Sequence, residues 1–177
     1  MQTYISLLRG INVAGKKKIH MAALKHLYEK LGLKEVKTYI QSGNVSFQSK
    51  NSNPHVLVKL IEKAIKQRYQ FEVPVFIKTV KDFEDLIKNA PFKEDDTEES
   101  RYITFCSQTV NPDAWKVLEK FQGKTETFSI EGKEVYLYLP AGYSKSRLTN
   151  NFLEKKLKTV VTTRNWKTVK TLVELNS

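Results

Sequence analysis

Residues 10–17 read GINVAGKK and follow the apolar run TYISLL. The phosphate-binding P-loop has the pattern G-x-x-x-x-G-K-[ST], in which loop amides and the lysine hold phosphates and the last hydroxyl binds Mg²⁺. Gly10, Gly15 and Lys16 match this pattern, but Lys17 stands where the hydroxyl is required. The match is therefore incomplete, and it argues against a nucleotide-hydrolysing P-loop while leaving open whether the loop binds an anion.

The wider loop RGINVAGKKK, residues 9–18, is the first candidate site for an anion. Glycines allow backbone amides to approach a ligand, an arginine supplies a bidentate fork, and each lysine supplies a point charge. A flexible, solvated connection in which asparagine and glycine only serve turns is the alternative, and it stays open. The residues that we assign to binding are Arg9, Asn12, Gly15, Lys16, Lys17 and Lys18.

The string QSGN, residues 41–44, is the second candidate. It separates two apolar runs, and Gly43-Asn44 suits a turn that needs positive φ. We add Ser42 and Asn44 to the binding residues, with a purely structural turn as the alternative. The hairpin and the loop after the first strand each lie at one end of the predicted sheet, and the sequence leaves open whether it is the same end.

Two basic strings in the second half are weaker candidates. Arg164 and Asn165 precede the last predicted helix, where the arginine could counter an anion and the asparagine could cap the helix. Pairing of Arg164 with an acid of residues 91–100 is the alternative. The loop GYSKSRLT, residues 142–149, places Arg147 before another helix start, with a solvated basic loop as its alternative.

No residue stands out as catalytic. The three histidines, His20, His26 and His55, have unrelated spacings and form no metal pair, and the acids cluster mainly in one charged run. Cys106 lies inside an apolar strand, which is typical of a buried small residue rather than a nucleophile. We expect no catalytic residues, no metal site and no cofactor.

Tyrosines in the second half could form a surface for bases. Alternation along KEVYLYL puts Tyr136 and Tyr138 on one strand face, and Tyr102 on the strand RYITF could share it. RNA-recognition modules stack bases on such aromatic residues of a ferredoxin-like sheet. Burial of the same face between the two halves is the alternative, and it is the one we favour.

The elements that position these residues recur in order. TYISLL predicts a strand and MAALKHLYEKLG predicts a helix. KEVKTYI and NVSFQS then predict a hairpin, and the stretch after Asn53-Pro54 predicts a capped helix. The strand VPVFIKTV and a short helix complete this round. RYITFCS begins a second round, with a helix capped by Asn111-Pro112, a hairpin around Glu131-Gly132, the helix TNNFLEKKL, the strand TVVTT and a last helix. The helix after Asn111 is predicted to carry Trp115, Leu118 and Phe121 and to end at Gly123.

This order predicts an α+β protein of two tandem ferredoxin-like (βαββαβ) halves, each followed by an extra helix. The predicted organisation is a first half at residues 1–90, an acidic linker PFKEDDTEES at residues 91–100 and a second half at residues 101–177. The net charges of these three parts are +9, −4 and +6, within a total of +11. Such a surplus of cations favours a polyanionic partner through counterion release.

Three strings, LLRGINVAGKKKI at 7–19, TYIQSGNVSF at 38–47 and TTRNWKTV at 162–169, resemble the signatures of a bacterial family known as domain of unknown function 1697. The resemblance implies paired ferredoxin-like halves and little about activity. Ala14 departs from that family pattern, since a second glycine is usual there, and this puts in doubt any loop conformation that requires glycine. The run Lys16-Lys17-Lys18 is also more basic than usual.

The loops and the charge together predict a non-catalytic module that binds a phosphate-bearing ligand, with nucleic acid as the favoured class. An enzyme acting on a small phosphorylated or nucleotide substrate in a cleft between the halves is one alternative, and a protein interaction module is another. A single cysteine fits a reducing compartment, and no segment approaches the roughly 18 apolar residues that a membrane span needs. We therefore expect a cytoplasmic protein with no membrane partner.

Overall fold

The computed structural model describes residues 1–177, and the chain divides into two compact units. The first comprises Met1–Leu86 with Leu172–Ser177, and the second comprises Ile87–Thr171. Each unit holds one four-stranded antiparallel sheet, and the chain has six α-helices, which confirms the α+β class. None of these helices is both long and apolar enough to cross a bilayer.

The first unit has the strand order β2-β3-β1-β4, with all neighbours antiparallel. Its successive elements are β1 (Gln2–Leu8), α1 (Met21–Lys30), β2 (Lys34–Tyr39), β3 (Asn44–Ser49), α2 (Pro54–Tyr69), β4 (Val75–Thr79) and α3 (Val80–Lys88). The central strand β1 therefore ends between β3 and β4, and its final residue Leu8 leads directly into the candidate loop.

The core of the first unit packs helices on one sheet face. Leu24 and Tyr28 of α1 are buried there, as the helical periodicity predicts. The Tyr28 hydroxyl lies 2.9 Å from the Ser6 hydroxyl of β1, so the one polar atom of that ring has a partner. Asn53 caps α2 by accepting a hydrogen bond from the His55 amide, which also agrees with the sequence.

The second unit repeats the strand order as β6-β7-β5-β8. Its elements are β5 (Arg101–Cys106), α4 (Trp115–Leu118), β6 (Thr127–Glu131), β7 (Glu134–Tyr138), α5 (Asn150–Leu157), β8 (Val161–Asn165) and α6 (Trp166–Glu174). A 3₁₀ turn, Glu98–Ser100, precedes β5, so the acidic run 91–100 lies within this unit and leads into its central strand.

The predicted helix from Asn111 to Gly123 is wrong in length. Asn111 does cap a turn, but the turn is a 3₁₀ helix, Pro112–Ala114, followed by the single α-turn Trp115–Leu118. Trp115, Leu118 and Phe121 therefore do not lie on one continuous helix. Leu118 alone is fully buried, and Trp115 is 46% exposed.

The predicted common face for three tyrosines is also wrong. In the β5–β7 ladder Tyr136 lies opposite Ile103, whereas Tyr102 lies opposite Leu137 and so faces the other side. Tyr136 is buried, and the Phe92 ring packs edge-on against it with centroids 5.8 Å apart. The acidic run thus supplies the side chain that covers Tyr136, which leaves no open aromatic platform for bases.

Candidate functional site

The loop between β1 and α1 has an unusual backbone. Five of its residues adopt left-handed φ angles, and they are Gly10, Asn12, Ala14, Gly15 and Lys17. The Lys16 amide donates to the Val13 carbonyl at 2.9 Å across a bridge between these two residues. With positive φ at both central positions, Ala14 and Gly15 form a type I′ turn. Ala14 therefore occupies a glycine-like conformation without being glycine.

Asn12 holds this loop closed. Its side-chain amide donates to the Ile19 carbonyl at 3.0 Å and to the Gln41 carbonyl at 2.8 Å, and its Oδ1 accepts from the Ile19 amide at 2.9 Å. Both N–H donors of the side chain are thus used inside the protein. Asn12 was predicted to bind an anion, but its contacts make it the residue that positions the loop.

The loop and the QSGN hairpin meet at the same end of the sheet, which settles the question that the sequence left open. The Leu8 amide donates to the Gly43 carbonyl at 2.8 Å, and a Cβ on Gly43 would lie 2.7 Å from Ile11 Cδ1. Glycine is therefore required at position 43 by close packing as well as by its φ of +85°.

Ser42 and Asn44 serve the hairpin itself. Asn44 is fully buried, and its side chain donates to the Tyr39 carbonyl at 2.9 Å and the Ser42 hydroxyl at 3.0 Å. Gly43 has the positive φ that the sequence predicts, but the other positive φ of this turn falls at Ile40 and not at Asn44. Asn44 is instead the first residue of β3.

A surface hollow of about 300 Å³ lies where the loop and the hairpin meet. It is lined by Asn12, Gly15, Lys18, Ile19, His20 and Gln41. His20 is the N-cap of α1, which has no side-chain cap and no acidic residue in its first turn. Unpaired amides and the positive end of the helix dipole attract anions, and Lys18 adds a full charge. This combination suits a small anionic group.

The remaining cations of the loop differ in their surroundings. The Lys17 ammonium donates to the Glu72 carbonyl at 2.6 Å, which ties the loop to the segment between α2 and β4. Lys16 is exposed, and Arg9 is half-buried with its backbone amide bonded to the Pro74 carbonyl at 2.9 Å. Lys16 and Lys18 are therefore the loop lysines with side chains directed to solvent or to the hollow.

The candidates of the second unit have separate surroundings. Arg164 lies within β8 and is 7% exposed, and its Nη1 donates to the Thr162 hydroxyl at 2.8 Å. Asn165 accepts from the Thr168 amide at 2.9 Å, so it caps α6 as predicted. Arg147 is exposed between two buried residues. Because Arg164 is buried within β8, we assign it primarily a structural role in the sheet.

The side chains whose pKa is shifted by burial lie away from the hollow. Burial, with a smaller contribution from the Glu134 carboxylate, raises the pKa of the Cys106 thiol to about 12, which makes this cysteine a poor nucleophile. The Tyr28 pKa is also raised by burial. No group of three histidine, cysteine, aspartate or glutamate side chains could hold a metal ion.

Sequence reasoning missed three residues of the hollow, Ile19, His20 and Gln41. His20 directly precedes the predicted helix start at Met21, and that position was the available signal. Gln41 is part of the quoted hairpin string, but nothing in its residue type marks it. Its contribution is a backbone carbonyl that receives the Asn12 amide.

The sequence profile of the family described as "Protein of unknown function (DUF1697)" matches residues 1–136. The chain belongs to this family. The matched part of this DUF1697 chain includes the loop and the hairpin that form the hollow, whereas the string at residues 162–169 lies outside it. No curated protein matches the chain.

A solved structure is similar to this chain over its whole length. It is the conserved bacterial protein SP0830 from Streptococcus pneumoniae, which is 27% identical to this chain. The alignment covers 99% of each chain, with a TM-score of 0.77. The fold described above is therefore shared over both units.

Proposed function

We propose that this protein is a non-catalytic module that binds a phosphate-bearing ligand in the hollow between the Arg9–Lys18 loop and the hairpin at residues 41–44. The observation that carries the proposal is the union of Lys18, Gly15 and the uncapped start of α1 around one concavity. Helix amino termini and glycine-rich bends are recurrent binding sites for phosphate groups.

The scaffold fits this role. We propose that the halves are tandem ferredoxin-like repeats, in line with the strand orders β2-β3-β1-β4 and β6-β7-β5-β8. In such a repeat the first loop and the hairpin are set by rigid strands, because β1 and β3 are central neighbours. A site built between two strand ends is held in place before the ligand arrives.

Nucleic acid is the ligand class that we favour, because the chain carries a net charge of +11 and a polyanion would release counterions on binding. We further propose a cytoplasmic location, which the single cysteine supports. Arg9, Lys16 and Lys17 would add charge around the hollow, while Asn12, Ser42 and Asn44 would fix the backbone beneath it.

The test is a titration of the full chain with a 5′-phosphorylated mononucleotide. Binding is measured by the increase in the melting temperature of the protein. The variant Lys16→Gln with Lys18→Gln is compared with the control Lys25→Gln with Lys30→Gln, which removes the same charge from exposed positions of α1. A charge-assisted contact contributes about 1.5–3 kcal/mol, so we expect at least tenfold weaker binding in the loop variant alone. Equal weakening in both variants, or no binding by the unaltered chain, would reject the proposal.

A further inference from the structure

A row of lysines follows the solvent face of α2. Leu57, Ile61 and Ile65 bury the opposite face. At 3.6 residues per turn, Lys59, Lys63 and Lys66 fall within about 60° of one another, directly away from that buried stripe. All three are exposed, and with Val73 and Pro74 they line a groove of about 400 Å³. We name these three residues the α2 lysine row.

The spacing of the row suits a nucleic-acid backbone. Lys59 and Lys66 are seven residues apart, which is about 10 Å along the helix axis at 1.5 Å per residue. One strand of a duplex presents a phosphate about every 3.4 Å along its axis. The row is therefore long enough to contact a short stretch of the phosphates of one strand.

Glu72 joins the row to the candidate loop. The Lys66 ammonium lies 2.8 Å from Glu72 Oε1, and the Lys17 ammonium lies 2.6 Å from the Glu72 carbonyl oxygen. One residue thus holds a lysine of the row beside a lysine of the loop. Glu72 thereby links α2 to the loop that borders the hollow.

The acidic residues of the groove offset only part of the charge of the row. Glu62 Oε1 accepts from the Val75 amide at 2.9 Å, so that this carboxylate is directed to the first residue of β4. Lys66 lowers the pKa of Glu72 mainly by donating a hydrogen bond to it. Glu72 is itself exposed and its ion pair offsets the charge of Lys66, so Lys59 and Lys63 are the lysines of the row that face solvent with no ion pair to an acid.

We propose that the α2 lysine row binds the phosphodiester backbone of a nucleic acid whose end or bent phosphate reaches the hollow. The inference rests on the proposed function, since it extends the ligand of that site from a single phosphate group to a polymer. A regular line of point charges fits a repeating phosphate backbone and carries no base recognition of its own.

The experiment measures how binding of a 20-base-pair duplex DNA depends on salt concentration. The row variant carries Lys59→Gln, Lys63→Gln and Lys66→Gln, and the control carries Lys25→Gln, Lys30→Gln and Lys34→Gln, which are exposed lysines elsewhere in the same unit. Each phosphate contact contributes about 0.9 to the slope of log K against log salt, so we expect the row variant to reduce the slope by about 2–3. The control is expected to change it by less than 1.

Separate probes distinguish the row from the hollow. The row variant is expected to bind the 5′-phosphorylated mononucleotide as the unaltered chain does, while the Lys16→Gln, Lys18→Gln variant loses it. Row-dependent DNA binding without mononucleotide binding would keep the row as a backbone-binding site and reject both the proposed function of the hollow and the placement of a phosphate in it. If the row variant has the same slope of log K against log salt as the unaltered chain, the inference is overturned but the proposed function is not. Heparin bound as tightly as DNA, or vesicles containing phosphatidylserine bound in its place, would also overturn it.

Discussion

Leu8 and Gly43 are in direct contact at the end of the first sheet. The Leu8 amide donates to the Gly43 carbonyl at 2.8 Å, and a Cβ atom on Gly43 would lie 2.8 Å from the Leu8 Cβ. This contact joins the last residue of β1 to the residue before β3, so it fixes the two segments that border the hollow relative to each other.

We expect Gly43→Ala to destabilise the protein by about 2–4 kcal/mol, because it combines a left-handed backbone with a close approach to packed atoms. The matched control is Gly32→Ala, since Gly32 also has a positive φ but has no atom within 4 Å of an added Cβ. Urea unfolding measures both variants, and the control is expected to lose only about 1 kcal/mol. Equal losses would show that packing against Leu8 contributes nothing.

Asn12→Ala is expected to increase the mobility of the loop more than it destabilises the whole fold. The substitution removes three hydrogen bonds that join the loop to Ile19 and Gln41. A loss of about 1–3 kcal/mol is expected, together with faster hydrogen exchange at the Ile19 amide. Asn12→Asp is the informative companion, since its oxygens would face the two carbonyls that Asn12 now bonds, and we expect it to be no more stable than Asn12→Ala.

Ala14→Gly is expected to stabilise the protein by about 0.5–1 kcal/mol. Ala14 has a φ of +49° in the tight turn, a conformation that penalises any side chain with a Cβ. Gly15→Ala, with φ +73° at the next position, is expected to have the opposite sign. Thermal unfolding of the two variants decides the matter, and a destabilising Ala14→Gly would refute the type I′ turn.

Cys106 is expected to resist thiol reagents in the native protein. Burial raises its pKa to about 12, so at pH 8 labelling requires opening of β5 and tracks the free energy of unfolding. The raised pKa also means that this thiol contributes stability below the ordinary pKa near 9, which is lost as pH rises towards 12. Rapid labelling at pH 8 without denaturant would contradict the buried position, and Cys106→Ala is the control for labelling elsewhere.

Elements with strong local patterns could be predicted from the sequence. The apolar spacing of α1 and the Asn53-Pro54 start of α2 specify both helices, because caps and periodicity act within a few residues. The repeated order of strands and helices follows in the same way, and it is present in both sheets. The predicted helix after Asn111 was too long, because three apolar residues do not specify where a helix ends: the segment forms one 3₁₀ turn and one α-turn.

The candidate loop could be recognised from its composition, but its arrangement could not. Gly10, Gly15 and the three lysines mark a bend that can hold an anion. That Asn12 bonds to Gln41, 29 residues away, depends on which end of the sheet each loop occupies. The strand order decides this, and no local pattern in the sequence reports it.

The sequence by itself determined where helices and strands begin, the doubled element order and the excess of positive charge, because these depend on nearest neighbours and on residue counts. Only the tertiary structure decided strand register, which separated Tyr102 from Tyr136, and the burial of Arg164 and Asn44. Pairing between strands distant in sequence sets the face and the partner of each side chain. The hollow exists because the loop after β1 packs against the distant hairpin at Gly43.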